Sequence, residues 1–310
     1  MVLVLTCLED PTADMVIGRL NARGARIARL DPGIDFPASI SFSAWFEDRL
    51  HGFLNTASRH VALDDVCAVY YRRPTPYASN HPSQTDRFSA LQARFGLGGT
   101  LASLPCRYVN HPWKILAAEH KPLQLTTARQ VGFRLPPTLI TNRPSDAWAF
   151  AAEHDRIIYK PLRLTSFVNS AGEPSTIWAT AVDPGAIDDT ITRTAHLLQA
   201  RVDKTADLRV TVVGRHAFCV RIESDLLDWR QDYDRISYTV VDSPPGLADA
   251  AIALLDALDL SFGVFDFAIG RDGSPVFLEC NPNGQWGWLE DATGIQIAAS
   301  IADLLLETPK

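Results

Sequence analysis

The sequence lacks the features that define several large classes of protein. None of its apolar runs approaches the ~18 uninterrupted residues of a membrane span, so we predict no membrane-spanning helix. The five cysteines include no CxxC pair and the eight histidines have no metal-ligand spacing. This odd number and wide spacing of cysteines indicate a chain without disulfides, in which most thiols are buried and unreactive. The first ten residues, MVLVLTCLED, contain neither a basic leader nor a small-residue cleavage site, so we expect a cytoplasmic protein.

Positive charge is also scarce. The 310 residues include 29 Lys and Arg against 36 Asp and Glu, which gives a net charge of −7. The excess lies in residues 196–310, with nine basic and 18 acidic side chains. A nucleic-acid binder needs a net basic face to displace counterions from phosphates, so we expect no nucleic-acid partner. Some of the acidic residues could instead surround a cation.

The order of apolar runs and helix signals predicts an α/β (α+β) fold. Apolar runs at 2–5, 26–30 and 67–71 are typical of buried strands, and Asp10-Pro11 is typical of a helix start. This pattern predicts an open, mostly parallel sheet. No G-x-G-x-x-G follows the first strand, so a dinucleotide site is not supported. The predicted domains are 1–109, 110–195 and 196–310.

The segment FGVFDFAIGRDGSPVFLECNP, residues 262–282, predicts a β-hairpin. Asp272-Gly273 is a strong signal for a two-residue turn, and with that turn Asp266 faces Glu279 across the strand pair. Asn281, two residues further on, points to the same side. Two opposed carboxylates repel one another unless a cation lies between them, and carboxylate and amide oxygens suit Mg²⁺. The alternative is a pair of acids on a solvated strand face.

Three basic residues lie in strand-like runs where they could meet phosphate. Lys160 ends an apolar strand directly before Pro161, and a lysine so placed can bind a nucleotide phosphate. Arg209 and Arg221 lie in adjacent strand-like runs, from which they could converge on the same charge. For all three, a solvated strand end is the alternative.

Together these residues resemble the ATP-grasp superfamily over most of residues 110–310. Its members use ATP to activate a carboxylate as an acyl-phosphate, which a nucleophile then attacks. The closing run Glu279-Cys280-Asn281-Pro282-Asn283-Gly284 matches the superfamily pattern E-x-N-P-x-G. The loop 161–175 departs from the pattern, because Gly172 is its single glycine where many members have a glycine-rich phosphate flap.

The resemblance implies a role for each matching residue. It implies an ATP-grasp fold with an N-terminal pre-ATP-grasp domain. It also implies that the chain binds ATP and Mg²⁺ through specific side chains. The implied adenine hinge is Gln199, Ala200, Arg201 and Val202, and the residue implied to bind the ribose is Asp207. The residues implied to bind phosphate are the lysines Lys121 and Lys160 and the arginines Arg209 and Arg221. The implied metal ligands are Asp266, Glu279 and Asn281.

A narrower resemblance is to the ATP-grasp maturases of ribosomally made peptides, which make microviridin-like and other graspetide products. It rests on Tyr71-Arg72-Arg73-Pro74, Asp228-Trp229-Arg230 and the run from Asn281 to Trp286. These enzymes join Asp or Glu side chains of a precursor to Ser or Thr hydroxyls, or to Lys amines. The resemblance implies a precursor with a leader and an acidic core containing Thr or Ser. Arginine forks suit carboxylates, so Arg72, Arg73 and Arg230 are candidate anchors for that core, with Asp228 orienting Arg230.

Two other functions stay open at this stage. One is an amino-acid or glutamate ligase that uses a free amine. The other is an ATP-grasp module that binds ATP without catalysis. Structural ion pairing is the alternative role for Arg72, Arg73 and Arg230. The sequence leaves a homodimer, the precursor and the choice between ester and amide open.

Overall fold

The computed structural model describes residues 1–77, 83–163, 167–168 and 171–307. The described strands, in chain order, are β1 (Val2–Thr6), β2 (Ile27–Leu30), β3 (Ser41–Phe46), β4 (Leu50–Asn55), β5 (His60–Ala62), β6 (Ala68–Arg73), β7 (Arg107–Val109), β8 (Thr138–Thr141), β9 (Ile157–Lys160), β10 (Phe167–Val168), β11 (Pro174–Ser175), β12 (Thr180–Ala181), β13 (His196–Ala200), β14 (Lys204–Val213), β15 (His216–Glu223), β16 (Ser237–Val241), β17 (Phe262–Gly270) and β18 (Pro275–Asn281).

The described α-helices are α1 (Pro11–Ala22), α2 (Pro32–Asp35), α3 (Gln84–Ala93), α4 (Gly99–Ala102), α5 (Pro112–Ala118), α6 (Lys121–Gln130), α7 (Pro144–Glu153), α8 (Leu247–Ala257), α9 (Gly287–Thr293) and α10 (Ile297–Leu306). A π-helical segment, Arg94–Gly98, joins α3 to α4. Within the described part of the chain, no helix is long and apolar enough to cross a membrane.

The N-terminal region contains the predicted parallel sheet and a second sheet that was not predicted. The parallel sheet has the strand order β2-β1-β6-β7. Asp10 caps α1 by accepting a hydrogen bond from the Ala13 amide, and Pro11 takes the first helical position, as the sequence indicates. The second sheet is the antiparallel meander β3-β4-β5.

Two antiparallel sheets follow, and the site lies where they meet. The central sheet has the order β12-β9-β13-β8 and the C-terminal sheet the order β16-β15-β14-β17-β18. One face of the C-terminal sheet packs on α8 and α6 through Leu254, Leu255 and Ala128. Its other, more polar face looks toward the central sheet. Apolar burial on one side therefore orients the charged side chains of β14, β17 and β18 to the other.

The positions of two elements bear on the predicted domain boundaries. Strand β13 pairs with β8 and β9, so the central sheet continues to Ala200, past the predicted limit at residue 195. Helix α6 lies inside the predicted central domain but packs on the C-terminal sheet. We therefore propose that the last boundary lies near residue 200 and that residues 110–133 associate with the C-terminal sheet.

The cysteines differ from the expectation of burial. Cys219 and Cys280 are buried, but Cys67 is exposed, and Cys7 and Cys106 are half-buried. These three cysteines lie one residue outside β1, β6 and β7, where water reaches them.

Candidate active site

The hairpin β17–β18 places Asp266 opposite Glu279, as predicted, but not by the predicted turn. The turn is longer, since the Gly270 amide donates to the Ser274 carbonyl and Ile269 pairs with Pro275. Regular pairing from that turn would place Leu278 opposite Asp266. A bulge in β18 corrects the register, so that Leu278 and Glu279 together oppose Asp266. Asn281 pairs with Val264 and so lies on the same face as Asp266.

Asp266 is buried against Arg209 of the neighbouring strand. Arg209 pairs with Asp266 in the β14–β17 ladder, and its Nη1 lies 2.7 Å from Oδ1 of Asp266. The Nη2 of Arg209 donates to the Gln285 carbonyl at 2.7 Å, and its guanidinium carbon lies 5.2 Å from the Trp229 ring centroid. A buried ion pair needs such additional partners to offset its desolvation.

Glu279 is held between two cations. The Lys121 Nζ lies 2.7 Å from Oε2, and the Arg230 Nη1 lies 2.7 Å from Oε1. Burial by itself raises the pKa of Glu279, but Lys121 and Arg230 outweigh it and hold the pKa well below its ordinary value. Glu279 is therefore a carboxylate at neutral pH.

Arg230 connects this carboxylate to two others. Its Nε and Nη2 donate to Asp228 at 2.9 and 3.0 Å, and its Nη1 lies 3.6 Å from Oδ2 of Asp266. Burial lowers the pKa of Arg230, but Glu279, Asp266 and Asp228 outweigh it and raise the pKa above its ordinary value. Trp229, the residue between Asp228 and Arg230, is buried next to both arginines.

Lys160 and the hinge line a cavity of about 210 Å³ beside these carboxylates. Burial lowers the pKa of Lys160 to about 8, with Glu279 opposing the shift. Gln199 is buried at the back of the cavity; its Nε2 donates to Thr138, while its Oε1 has no hydrogen-bond partner. The cavity walls include the candidate residues Lys121, Lys160, Gln199, Arg201, Val202, Asp207, Asp228, Trp229, Arg230, Asp266 and Glu279.

Asp207 has a partner that the sequence analysis missed. The Lys204 Nζ lies 2.6 Å from Oδ2 of Asp207 and 3.1 Å from the Leu227 carbonyl. Burial raises the pKa of Asp207 to about 6, with Lys204 opposing the shift. A lysine three residues before an aspartate at the start of a strand was the available signal.

Arg221 does not converge with Arg209, which corrects the prediction. In the β14–β15 ladder Arg221 pairs with Leu208 and Arg209 pairs with Val220. Because side chains alternate along a strand, the two arginines point to opposite faces of the sheet. Arg221 lies on the α8 side, where its Nε is 3.3 Å from Glu223.

Arg72 is not available to a substrate, which corrects a second prediction. Its side chain is 1% exposed, and it donates to the Asn283 carbonyl and to Oε1 of Gln285, both at 2.6 Å. Thr12 of α1 also donates to that Gln285 oxygen, at 3.1 Å. Arg72 therefore joins the N-terminal sheet to the loop after β18. Its neighbour Arg73 ends β6 with an exposed side chain.

The predicted metal ligands are two carboxylates and one amide. Asn281 is exposed, and its Oδ1 accepts the Asn283 amide at 3.0 Å. Among residues 1–77, 83–163, 167–168 and 171–307, no three His, Cys, Asp or Glu side chains form a cluster that could hold a metal ion. Any such site therefore depends on Asn281 or on groups brought by a ligand. The phosphate loop 161–175 lies partly outside the described residues.

Comparisons with known proteins concern the fold of the whole chain. Residues 1–115 match the family model of the MvdD pre-ATP grasp domain. A Chryseobacterium gregarium RiPP-associated ATP-grasp ligase, solved with ADP and a leader and core peptide, superposes with a TM-score of 0.90 at 25% identity, covering 100% of this chain and 97% of that one. No curated protein matches in sequence.

Two macrocyclases from Microcystis aeruginosa MRC are similar as well. MdnC, solved with its precursor peptide MdnA, is 26% identical to this chain and superposes with a TM-score of 0.88. MdnB is 27% identical and superposes with a TM-score of 0.82. Each match covers 98% of both chains. The fold and the site thus define an ATP-grasp ligase with an N-terminal pre-ATP-grasp domain. Within that class, the chain resembles the maturases of ribosomally made peptides, which confirms the resemblance drawn from its motifs.

Proposed function

We propose that this chain is an ATP-dependent carboxylate ligase that macrocyclises a ribosomally made precursor peptide. One observation carries the proposal: the facing carboxylates Asp266 and Glu279 share one cavity wall with Lys121, Lys160 and Arg230. The cavity continues to a hinge that can hold a base. Phosphoryl transfer from ATP requires this combination of anchored cations and carboxylates around the phosphates.

The residues present fit a nucleotide. The unpartnered Oε1 of Gln199 can accept a hydrogen bond from the exocyclic amine of adenine, which would satisfy a buried acceptor. We assign Arg201 and Val202 to the adenine side and Asp207 to the ribose. We assign Lys121, Lys160 and Arg209 to the phosphates.

The residues also fit a hard divalent cation. Asp266, Glu279 and Asn281 would hold Mg²⁺, because they share one face and offer oxygen ligands. When bound, Mg²⁺ would neutralise charge on the phosphates of ATP. Lys160 and Arg209 would then stabilise the remaining negative charge of the transferring γ-phosphoryl group.

The reaction has two steps in this proposal. A carboxylate oxygen of a peptide Asp or Glu attacks the γ-phosphorus, and ADP leaves. A Ser or Thr hydroxyl, or a Lys amine, then attacks the carbonyl carbon of the acyl-phosphate, loses its proton, and phosphate leaves. The protein supplies orientation and charge rather than a covalent nucleophile. Arg230, oriented by Asp228 and packed on Trp229, would bind the acidic side chain, and exposed Arg73 remains a candidate for the same peptide.

Peptide binding is supported by related structures that were solved with a leader and core peptide or with a precursor peptide. We propose a leader followed by an acidic core with Thr or Ser, and a cytoplasmic reaction. A homodimer remains a proposal. Peptide-dependent consumption of ATP would separate this function from a nucleotide-binding module, and a crosslink within the peptide would separate it from an amino-acid ligase.

The test uses the full chain with ATP, Mg²⁺ and a precursor from a neighbouring short reading frame rich in Thr and Asp/Glu. We expect the peptide to lose the mass of one water for each crosslink, measured by mass spectrometry. Glu279→Gln should abolish this loss, because the variant lacks a metal-binding carboxylate. The matched control, Glu223→Gln, changes an exposed glutamate on β15 and should leave it intact. Normal crosslinking by Glu279→Gln would refute the site assignment.

A further inference from the structure

Arg230 lies between the two carboxylates that the proposed function assigns to a metal ion. Its Nη1 is 2.7 Å from Oε1 of Glu279 and 3.6 Å from Oδ2 of Asp266. A guanidinium nitrogen at these distances gives both carboxylates a positive neighbour without any bound ion. The same oxygens would have to coordinate a divalent cation.

The two arginines beside these carboxylates are held to different degrees. Arg209 is 5% exposed and is fixed by Asp266, by the Gln285 carbonyl and by packing on Trp229. Arg230 is 28% exposed and belongs to a short 3-10 turn, Trp229–Gln231, between β15 and β16. An arginine on a short turn can reorient at a lower cost than one within a central strand.

Asp228 provides a pivot for that reorientation. Its carboxylate accepts hydrogen bonds from Nε and Nη2 of the Arg230 side chain, and a third from the Arg230 backbone amide at 3.2 Å. Nη1 is then the side-chain atom that reaches Glu279. Rotation about this pivot would withdraw Nη1 from Glu279 without leaving the guanidinium unpaired. The charge of Arg230 would then face the cavity.

We propose that Arg230 is an internal counter-ion that competes with the divalent cation for Glu279 and Asp266. This inference rests on the proposed function and deepens it. Entry of the cation releases Arg230, and the released guanidinium becomes the anchor for the acidic side chain of the substrate. Cation and substrate carboxylate therefore bind cooperatively, and each favours the other by the same factor.

The experiment measures Mn²⁺ affinity by electron paramagnetic resonance, with saturating ADP and no peptide. Arg230→Met should bind Mn²⁺ at least about tenfold more tightly than the wild type, because a competing close charge is gone. Arg230→Lys keeps the charge and should stay near the wild-type value. Arg215→Met, which removes an exposed arginine paired with Asp256, is the matched control and should change nothing.

Each outcome decides between the alternatives. Unchanged or weaker Mn²⁺ binding by Arg230→Met would overturn the competition while leaving the proposed ligase intact. If that variant does not fold, Arg230→Gln keeps donors for Asp228 and gives the same test. Failure of the wild type to bind Mn²⁺ with ADP would instead refute the proposed metal site, so the two failures are distinguishable.

Discussion

Two regions of this molecule contain buried or half-buried arginines, and they use them differently. On the polar face of the C-terminal sheet, Arg209 and Arg230 are paired with carboxylates. At the junction with the N-terminal sheet, Arg72 is bound to neutral oxygens of Asn283 and Gln285, with its nearest carboxylate, Asp10, 3.9 Å from Nε. A charge pair can be exchanged for an incoming ion, whereas directed hydrogen bonds to neutral oxygens fix a geometry. The first region is suited to ligand exchange and the second to holding domains together.

The largest expected effect tests the charge pairing itself. Asp266→Asn leaves the buried guanidinium of Arg209 without its carboxylate, so the free energy of unfolding should fall by about 3–5 kcal/mol. Urea denaturation measures this loss. Adding Arg209→Met removes the unpaired charge and should restore part of the stability. A double variant less stable than Asp266→Asn would show that Arg209 contributes mainly through Gln285 and Trp229.

The next effect tests the junction. Arg72→Met leaves the Asn283 carbonyl without its donor and the Gln285 oxygen with Thr12 alone, so we expect the free energy of unfolding to fall by about 2–3 kcal/mol. Peptide affinity of the folded variant, measured by calorimetry at a temperature well below its Tm, should be unchanged. Lost peptide affinity at unchanged stability would restore the substrate role predicted from the sequence.

A smaller effect concerns pH. Burial lowers the pKa of Lys160 to about 8, so the free protein loses this positive charge as pH rises through that value. ADP affinity should therefore fall between pH 7 and 9.5, as measured by calorimetry. Lys160→Arg stays charged over this range and should remove the dependence. Lys114→Arg, a change at an exposed lysine paired with Asp259, should keep the wild-type profile.

The smallest effect concerns the opposite face of the β14–β15 ladder. Arg221→Met removes a partly exposed ion pair with Glu223, and such pairs contribute about 0–1 kcal/mol. Its rate of ATP consumption should equal that of the wild type. A large loss of activity would return Arg221 to the phosphate side and break the contrast between the two faces.

Local pattern predicted the elements that carry the site better than it predicted their connections. The apolar pattern identified the two strands around Asp266 and Glu279, but their pairing was predicted from a two-residue turn that the structure does not have. The bulge, which was not foreseen, restores the predicted pairing. Arg221 was misplaced because adjacent strands do not reveal their register from sequence alone. The role of Arg72 depends on Gln285, more than 200 positions away, which no local signal reports.

Regions with weak apolar patterns were predicted least well. Strands β3 and β4 consist mostly of half-buried and exposed residues, so their sequence lacks a clear alternation and was not recognised. Asp183-Pro184 is a typical helix start in sequence, but the structure has two short 3-10 turns there, Pro184–Ala186 and Asp189–Arg193. Ile191 is buried and Ile187 half-buried in the small central core, but residues 183–186 and 188–190 are exposed and cannot sustain a helix by burial.

The bulge in β18 has a consequence for how this chain can be altered. It lets one strand present two consecutive side chains, Leu278 and Glu279, beside the same cavity. A single-residue deletion of Leu278 would leave an unbroken ladder in which Glu279 still faces Asp266. The carboxylates would keep their places while the wall of the cavity lost an apolar side chain. A change of chain length at this one position would thus alter the cavity wall without moving the facing carboxylates.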